Sequence, residues 1–210
     1  MPKRPSATPP EPSHRERRGA LLATVLLAAM PGFAFGAPVF DLAQLTALLG
    51  RVKSGEASFV EKRRVEMLDR TLESSGRLRF RAPDLFSRET LRPYREKLEV
   101  NGNVLTMSMG QRSRTLQLDS APEAAVIIEA IRGTLTGNRD ALEHFFATTV
   151  SGSPDGWTLD LVPHDMRLRG QVASVRVSGR DSAVREVRVL LADGDRSTMT
   201  IEPLPGGVAP

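Results

Sequence analysis

Cysteine is absent from the 210 residues of this chain. No disulfide can staple the fold and no thiol is present for lipid attachment, so an exported chain of this kind has to be held together by its core. Histidine is scarce. Of the three, His14 falls in the leader described below, and His144 and His164 have no His or carboxylate at ligand spacing, so neither a metal site nor a cofactor is expected. Also missing are the Gly-x-Ser-x-Gly elbow, a Gly-rich phosphate loop ahead of a helix and the dinucleotide fingerprint. Asp193-Gly194-Asp195 opens like a calcium loop, but the later ligand positions hold Met199, Thr200 and Ile201, and the segment reads as a hairpin turn. The pattern favours a binder over an enzyme.

No apolar run is long enough to be a convincing membrane span. Ala20 to Phe35 is short and broken by Pro31-Gly32, which argues against a retained anchor. Preceded by Arg15, Arg17 and Arg18 and followed by the small residues Ala34 and Gly36, it reads as a secretory signal peptide, residues 1–36, cut before Ala37. Arg17-Arg18 hints at twin-arginine export, but its neighbours support ordinary export better. Residues 1–36 hold five of the 29 basic and two of the 25 acidic side chains, which leaves 24 basic and 23 acidic groups in the mature chain. The mature protein is close to neutral, so the basic balance of the whole chain is no argument for a nucleic-acid partner.

From Gly76 to Gly102 the chain alternates between apolar and polar residues. Leu78 and Phe80 oppose Arg77, Arg79 and Arg81, and Leu98 and Val100 lead into Asn101-Gly102, a type I′ hairpin signal. Ahead of it, Asp41 can cap a helix carrying Leu42, Leu45, Leu48, Leu49 and Val52, and Ala57 to Leu68 reads as a long strand whose Glu61-Lys62-Arg63-Arg64 run is a solvated face. Asp69 to Ser75 reads as a connection. Beyond it, a hairpin turns at Gly110. Ser120 then caps a second helix, apolar over more than one stripe from Ala124 to Leu135, and a short third helix presents Leu142, Phe145 and Phe146. The second half returns to strands: one beginning at Phe146 to Val150, a turn at Ser151 to Gly156, then Trp157 to Val162, Val172 to Val177, Val184 to Leu191 and Ser197 to Ile201, before a loose tail at 204–210. The expected fold is mainly β within the α+β class: a strongly curved, unclosed antiparallel barrel of about eleven strands with a lid of about three helices.

The helix from Asp41, Ala57-Ser58-Phe59 with Glu61-Lys62, Gly76-x-Leu78-x-Phe80, Pro83-Asp84-Leu85-Phe86, the Asn101-Gly102 hairpin, Leu135-Thr136-Gly137 and Trp157-x-Leu159-x-Leu161-x-Pro163 occur in the order seen in outer-membrane lipoprotein carriers, the LolA family. The chain resembles that family over most of residues 41–201, and the domain is taken as 37–203. The resemblance implies a monomeric periplasmic carrier holding the acyl chains of a lipoprotein or other lipidated cargo between barrel and lid, and shuttling it from an inner-membrane transporter to an outer-membrane acceptor. Two departures stand out. The family's arginine before the matching proline, which implies a hydrogen-bonded lid, is Ala82 here, and the family's last strand is not seen after Pro203. Phe59, Leu78, Phe80, Phe86, Leu98, Val100, Leu116 and Leu118 are the candidate lipid-binding residues of the sheet, with Val126, Ile127, Ile131 and Leu135 on the lid. The alternative reading is a periplasmic sensing or adaptor domain of the same fold that binds a protein or lipid signal without transport.

Overall fold

The structure, a computed structural model, describes residues 40–209. The expected leader, residues 1–36, and its cleavage point lie outside the described residues. Helix α1 (Leu42–Leu49) precedes a six-strand meander: β1 (Ser54–Val65), β2 (Arg70–Arg81), β3 (Leu85–Arg92), β4 (Glu96–Asn101), β5 (Val104–Met109) and β6 (Arg112–Gln117). Helices α2 (Pro122–Thr136) and α3 (Arg139–Phe145) follow, then β7 (Phe146–Ser153), β8 (Gly156–Pro163), the short α4 (Met166–Arg169), β9 (Val172–Arg180), β10 (Ala183–Leu191) and β11 (Arg196–Ala209).

The strands form one antiparallel sheet in the order β6-β5-β4-β3-β2-β1-β11-β10-β9-β8-β7. The two meanders meet where β1 pairs with β11, with Phe59 opposite Ile201. β6 and β7 are left as free edges, so the barrel is not closed. Eleven strands and an open, curved sheet are what the alternation implied. The fourth helix, α4, adds one to the three expected; Asp165 starts it by accepting the Arg167 N–H at 2.7 Å. That backbone bond, ahead of the nearby Arg167 side chain, holds the Asp165 carboxyl below its usual range.

Several local expectations are corrected. The turn after β4 is Gly102-Asn103, not Asn101-Gly102, because Asn101 still pairs with Val104. Of the turn residues only Gly102 has positive φ, at +58°, which fits glycine in first place of a type II′ turn instead of type I′. The segment 69–75 is mostly strand, since β2 begins at Arg70; the reversal is a single 3₁₀ turn over Glu66–Leu68. The turn expected over 151–156 is shorter, because β7 runs to Ser153 and β8 begins at Gly156. Ser120 does not cap α2: its hydroxyl donates to the Gln117 carbonyl at 2.7 Å, and the helix opens with Pro122, which has no N–H to satisfy. β11 continues to Ala209, through most of the segment taken as the tail. Pairing passes from Ala57↔Pro203 to Gly55↔Val208, leaving a bulge around Leu204 and Pro205 where proline has no N–H for a ladder.

The main core lies between the helices and β7–β11. Leu45, Leu49, Val126, Ala130, Leu142, Trp157, Leu159, Leu161, Val175 and Val177 are buried there. β8 shows the cause plainly, since every second residue from Trp157 to Pro163 is buried. A second, smaller cluster joins Val100, Leu105 and Leu118 to Ala124, Ala125 and Ile128 of α2.

Candidate functional site

α2 has a foot in each cluster. Val126 and Ala130, four residues apart, face the main core, while Ala124, Ala125 and Ile128 face β4–β6. Between these rows runs a third, Ile127, Ile131 and Leu135, spaced by four and therefore on one line along the helix. These three side chains look onto a cavity of about 790 Å³ between the helix and the concave face of the sheet. That volume lies within the ~300–1,000 Å³ usual for small-molecule sites.

The opposite wall contains Leu78, Phe80, Phe86, Leu98 and Val100, so five of the eight sheet candidates and three of the four lid candidates converge on one space. The rings of Phe80 and Phe86 stack there with centroids 5.3 Å apart. Four candidates fall outside the lining. Phe59 lies under the guanidinium of Arg88, 4.9 Å from its ring centroid, and is buried. Leu116 and Leu118 pack in the smaller cluster, and Val126 belongs to the main core because it sits on the helix row facing β9. Sequence reasoning missed the wall supplied from the other meander: Val187 and Val189 of β10 and Met199 and Ile201 of β11. Their alternation was visible, but the pairing of β1 with β11 that brings them round was not.

One end of the cavity is polar, and here a further expectation is corrected. In the charged run of β1, Glu61 and Arg63 line the cavity, Glu61 largely buried and Arg63 with its side chain still 46% exposed, because successive side chains of a strand must take opposite faces. Lys62 and Arg64 face out. Arg88 Nη2 of β3 donates to Glu61 Oε2 at 2.5 Å and to Ser74 Oγ at 3.2 Å, while Ser74 and Ser197 hydroxyls donate to the same carboxylate. The side chains of Arg88 and Glu61 are only 29% and 15% exposed. Asp195, also buried, accepts from Arg63 Nη2 at 3.1 Å and from the Glu66 N–H at 3.0 Å. Its place in the β10–β11 turn agrees with the hairpin expected for Asp193-Gly194-Asp195.

The helix is tied to the rim of the sheet by one long side chain. Arg132 of α2 donates from Nη2 to the carbonyl of Gly102 in the β4–β5 turn at 2.5 Å, and from Nη1 to Glu129 at 2.6 Å. Ala82, the position where the family resemblance implies an arginine, lies in the β2–β3 connection with its N–H bound to the Lys53 carbonyl at 2.8 Å. It is not part of the cavity wall.

A second hollow, of about 490 Å³, lies by Asp155, Arg180 and Arg185 at the far end of β7–β10. It is of mixed polarity and open to solvent, whereas the space under α2 has walls on both sides and is mostly apolar; the latter is the better candidate for a ligand. Among the described residues no group of three or more His, Asp or Glu is placed to hold a metal, and no helix is long and apolar enough to cross a membrane.

No curated protein sequence matches the chain. Among solved structures it is similar to a LolA superfamily protein from Nitrosomonas europaea, with 9% identity, 77% of this chain and 93% of that chain covered, and a TM-score of 0.40. It is also similar to a DUF1329 family protein from Desulfovibrio piger, with 10% identity, 78% and 89% coverage and a TM-score of 0.37. A third, MucB in complex with the periplasmic part of MucA, has 12% identity, 79% and 56% coverage and a TM-score of 0.37. These values are too low for any residue's role to be carried across. The profile of the family described as "Outer membrane lipoprotein carrier protein LolA-like" matches residues 34–203, and the chain belongs to that family.

Proposed function

We propose that the protein is a periplasmic carrier, not an enzyme, which holds the acyl chains of a lipoprotein or other lipidated cargo under α2 and shuttles it as a monomer from the inner to the outer membrane. The observation that carries this reading is the cavity itself: about 790 Å³ of space walled by three α2 residues on one side and by strands of both meanders on the other. Each methylene moved out of water is worth about 0.8 kcal/mol, so an acyl chain leaves a bilayer only for a space of matching character. A core meant only for stability would be filled, since interiors pack to the density of organic crystals. Family membership and the secretory leader read in the sequence support the same assignment. An inner-membrane transporter as donor and an outer-membrane acceptor complete the proposed route.

The test is direct. The protein is expressed with its leader, recovered from the periplasm, extracted with organic solvent and examined by mass spectrometry, and the delipidated protein is titrated with the neutral fluorophore N-phenyl-1-naphthylamine. Acylated molecules in the extract and saturable uptake of the fluorophore are expected. A protein that comes out empty and takes up no fluorophore is not a carrier, and the sensing or adaptor reading then replaces it.

A further inference from the structure

We propose that the three hairpin tips at one end of the first meander form a docking surface for an anionic lipid bilayer, with Met67, Tyr94 and Met109 entering its interface and arginines meeting its headgroups. Docking of this kind rests on the carrier reading and extends it, by supplying the surface through which the cavity is brought to a membrane.

In an antiparallel meander every second connection falls at the same end. The β1–β2, β3–β4 and β5–β6 connections therefore share one end of the sheet, and the β2–β3 and β4–β5 turns share the other. Each tip of the first set holds a large apolar side chain out in water: Met67 is 94% exposed, Tyr94 77% and Met109 59%. The β1–β2 hairpin reaches past its neighbour, since Ser75 is the outermost residue of β2 that pairs with β3. Three tips define a plane, so one flat surface can rest on all of them. The turns at the other end, residues 82–84 and 102–103, hold none of the exposed large hydrophobic residues.

Charge is sided in the same way. Residues 64–70, 92–95 and 109–114 hold six arginines and two carboxylates, a net charge of +4 in a mature chain that is close to neutral. Arg64 pairs with both carboxylates, Glu66 at 3.5 Å and Asp69 at 3.0 Å. Arg70, Arg92, Arg95, Arg112 and Arg114 are exposed and have no ion-pair partner among the described residues. The turns at the other end carry a single charge, Asp84. Unpaired arginines gain from the negative potential of an anionic bilayer, and their stems can lie along apolar surface while the guanidinium stays hydrated. Met67, Tyr94 and Met109 stand on separate tips and do not form the contiguous apolar centre of a protein interface. A bilayer interface accepts such side chains singly, tyrosine at the level of the headgroups.

The cavity adjoins this end. Asp195, in its polar wall, accepts the N–H of Glu66 in the first tip at 3.0 Å. A bilayer met by the tips is thus met beside the cavity's polar end.

Sedimentation with sucrose-loaded vesicles tests the surface, using the protein recovered from the periplasm. One set of vesicles is three parts phosphatidylcholine to one part phosphatidylglycerol, the other phosphatidylcholine alone. Wild type should bind the mixed vesicles at lipid concentrations at least about tenfold lower, and added salt should narrow that gap. R70Q/R95Q/R112Q, one arginine from each tip, should close most of it. M67S/Y94S/M109S should weaken binding to the mixed vesicles by about tenfold or more. All six side chains are exposed, so both variants should keep the wild-type melting temperature and uptake of N-phenyl-1-naphthylamine, measured without vesicles. No binding to mixed vesicles, equal binding to both kinds, or wild-type binding in either variant overturns the docking surface. So does a concentration-dependent dimer that M67S/Y94S/M109S abolishes in a protein that ignores vesicles, which gives the tips to a second copy of the chain. A wild type that docks but takes up no fluorophore keeps the docking surface and loses the carrier reading.

Discussion

Arg132→Met should loosen the lid without loosening the fold. α2 is held on one side by the main core through Val126 and Ala130, and on the other by Ala124, Ala125 and Ile128 together with the bond from Arg132 to Gly102. The core side is the larger attachment, so opening means lifting the Arg132 side about the core side. Two contacts disappear in the variant, but only one matters for opening: the Glu129 pair lies within α2 and travels with it. A hydrogen bond from a charged donor is worth ~1.5–3 kcal/mol. Arg132 is 21% exposed, so the lower end applies, about 1.5 kcal/mol, which is roughly tenfold in an equilibrium. Methionine keeps an unbranched apolar stem over the same surface, which limits the loss of packing. Since the chain has no cysteine, two can be introduced cleanly, at Glu123 on the lid and Asn101 on the rim, and spin-labelled. Pulsed electron resonance should then show the long-distance population gaining about tenfold over the closed one in R132M, with release of N-phenyl-1-naphthylamine faster by a similar factor. Unchanged distances, or a loss of melting temperature with no change in distances, would refute the assignment of Arg132 as the tie.

Ile131→Trp places a larger side chain from the middle of the lid row into the cavity, and the expected result is a clear loss of fluorophore capacity with a circular-dichroism melt close to wild type. Ala82→Arg should leave fluorophore release unchanged, because Ala82 is outside the cavity wall and the tie to the rim is made from the helix. Gly137→Ala should be among the costliest small substitutions: φ there is +63°, and a Cβ would lie 2.2 Å from the Thr46 carbonyl of α1, so at least about 2 kcal/mol, or roughly 4–8 °C of melting temperature, is expected from calorimetry. Trp157→Phe removes the 2.9 Å bond from Nε1 to the Asp181 carbonyl in a side chain that is otherwise fully buried, and its urea midpoint should fall by the equivalent of about 1–2 kcal/mol.

What could be read from the chain depended on how local the signal was. Leu78, Phe80, Leu98 and Val100 alternate within their own strands, and Ile127, Ile131 and Leu135 repeat every fourth residue, so each set announces a face without knowledge of the fold. Which face of α2 meets protein and which meets open space is a different matter. Val126 and Ile127 are neighbours of equal apolarity, yet one is buried in the main core and the other lines the cavity, and only the placement of β9 against the helix separates them. The same holds for Met199 and Ile201, whose place in the wall depends on a pairing between β1 and β11 across about 140 residues, as the register of Phe59 with Ile201 shows.

Glu61 and Arg88 mark where reading by type alone fails. Charge in an alternating strand was taken as the outward face, and for Lys62, Arg64, Arg77 and Arg79 that choice agrees with the pleat. But period two sends every second member of a consecutive run inward, whatever its chemistry. A run of four charged residues on β1 therefore had to place two of them on the concave face. Once inside, each needs a partner of opposite sign within reach, since an unpaired buried charge is not tolerated. Arg88 stands two strands away from Glu61, and Asp195 stands across the β1–β11 seam from Arg63. The four charges therefore stand as two pairs along the concave face, put there by the period of the strand and not by any outward preference for charge.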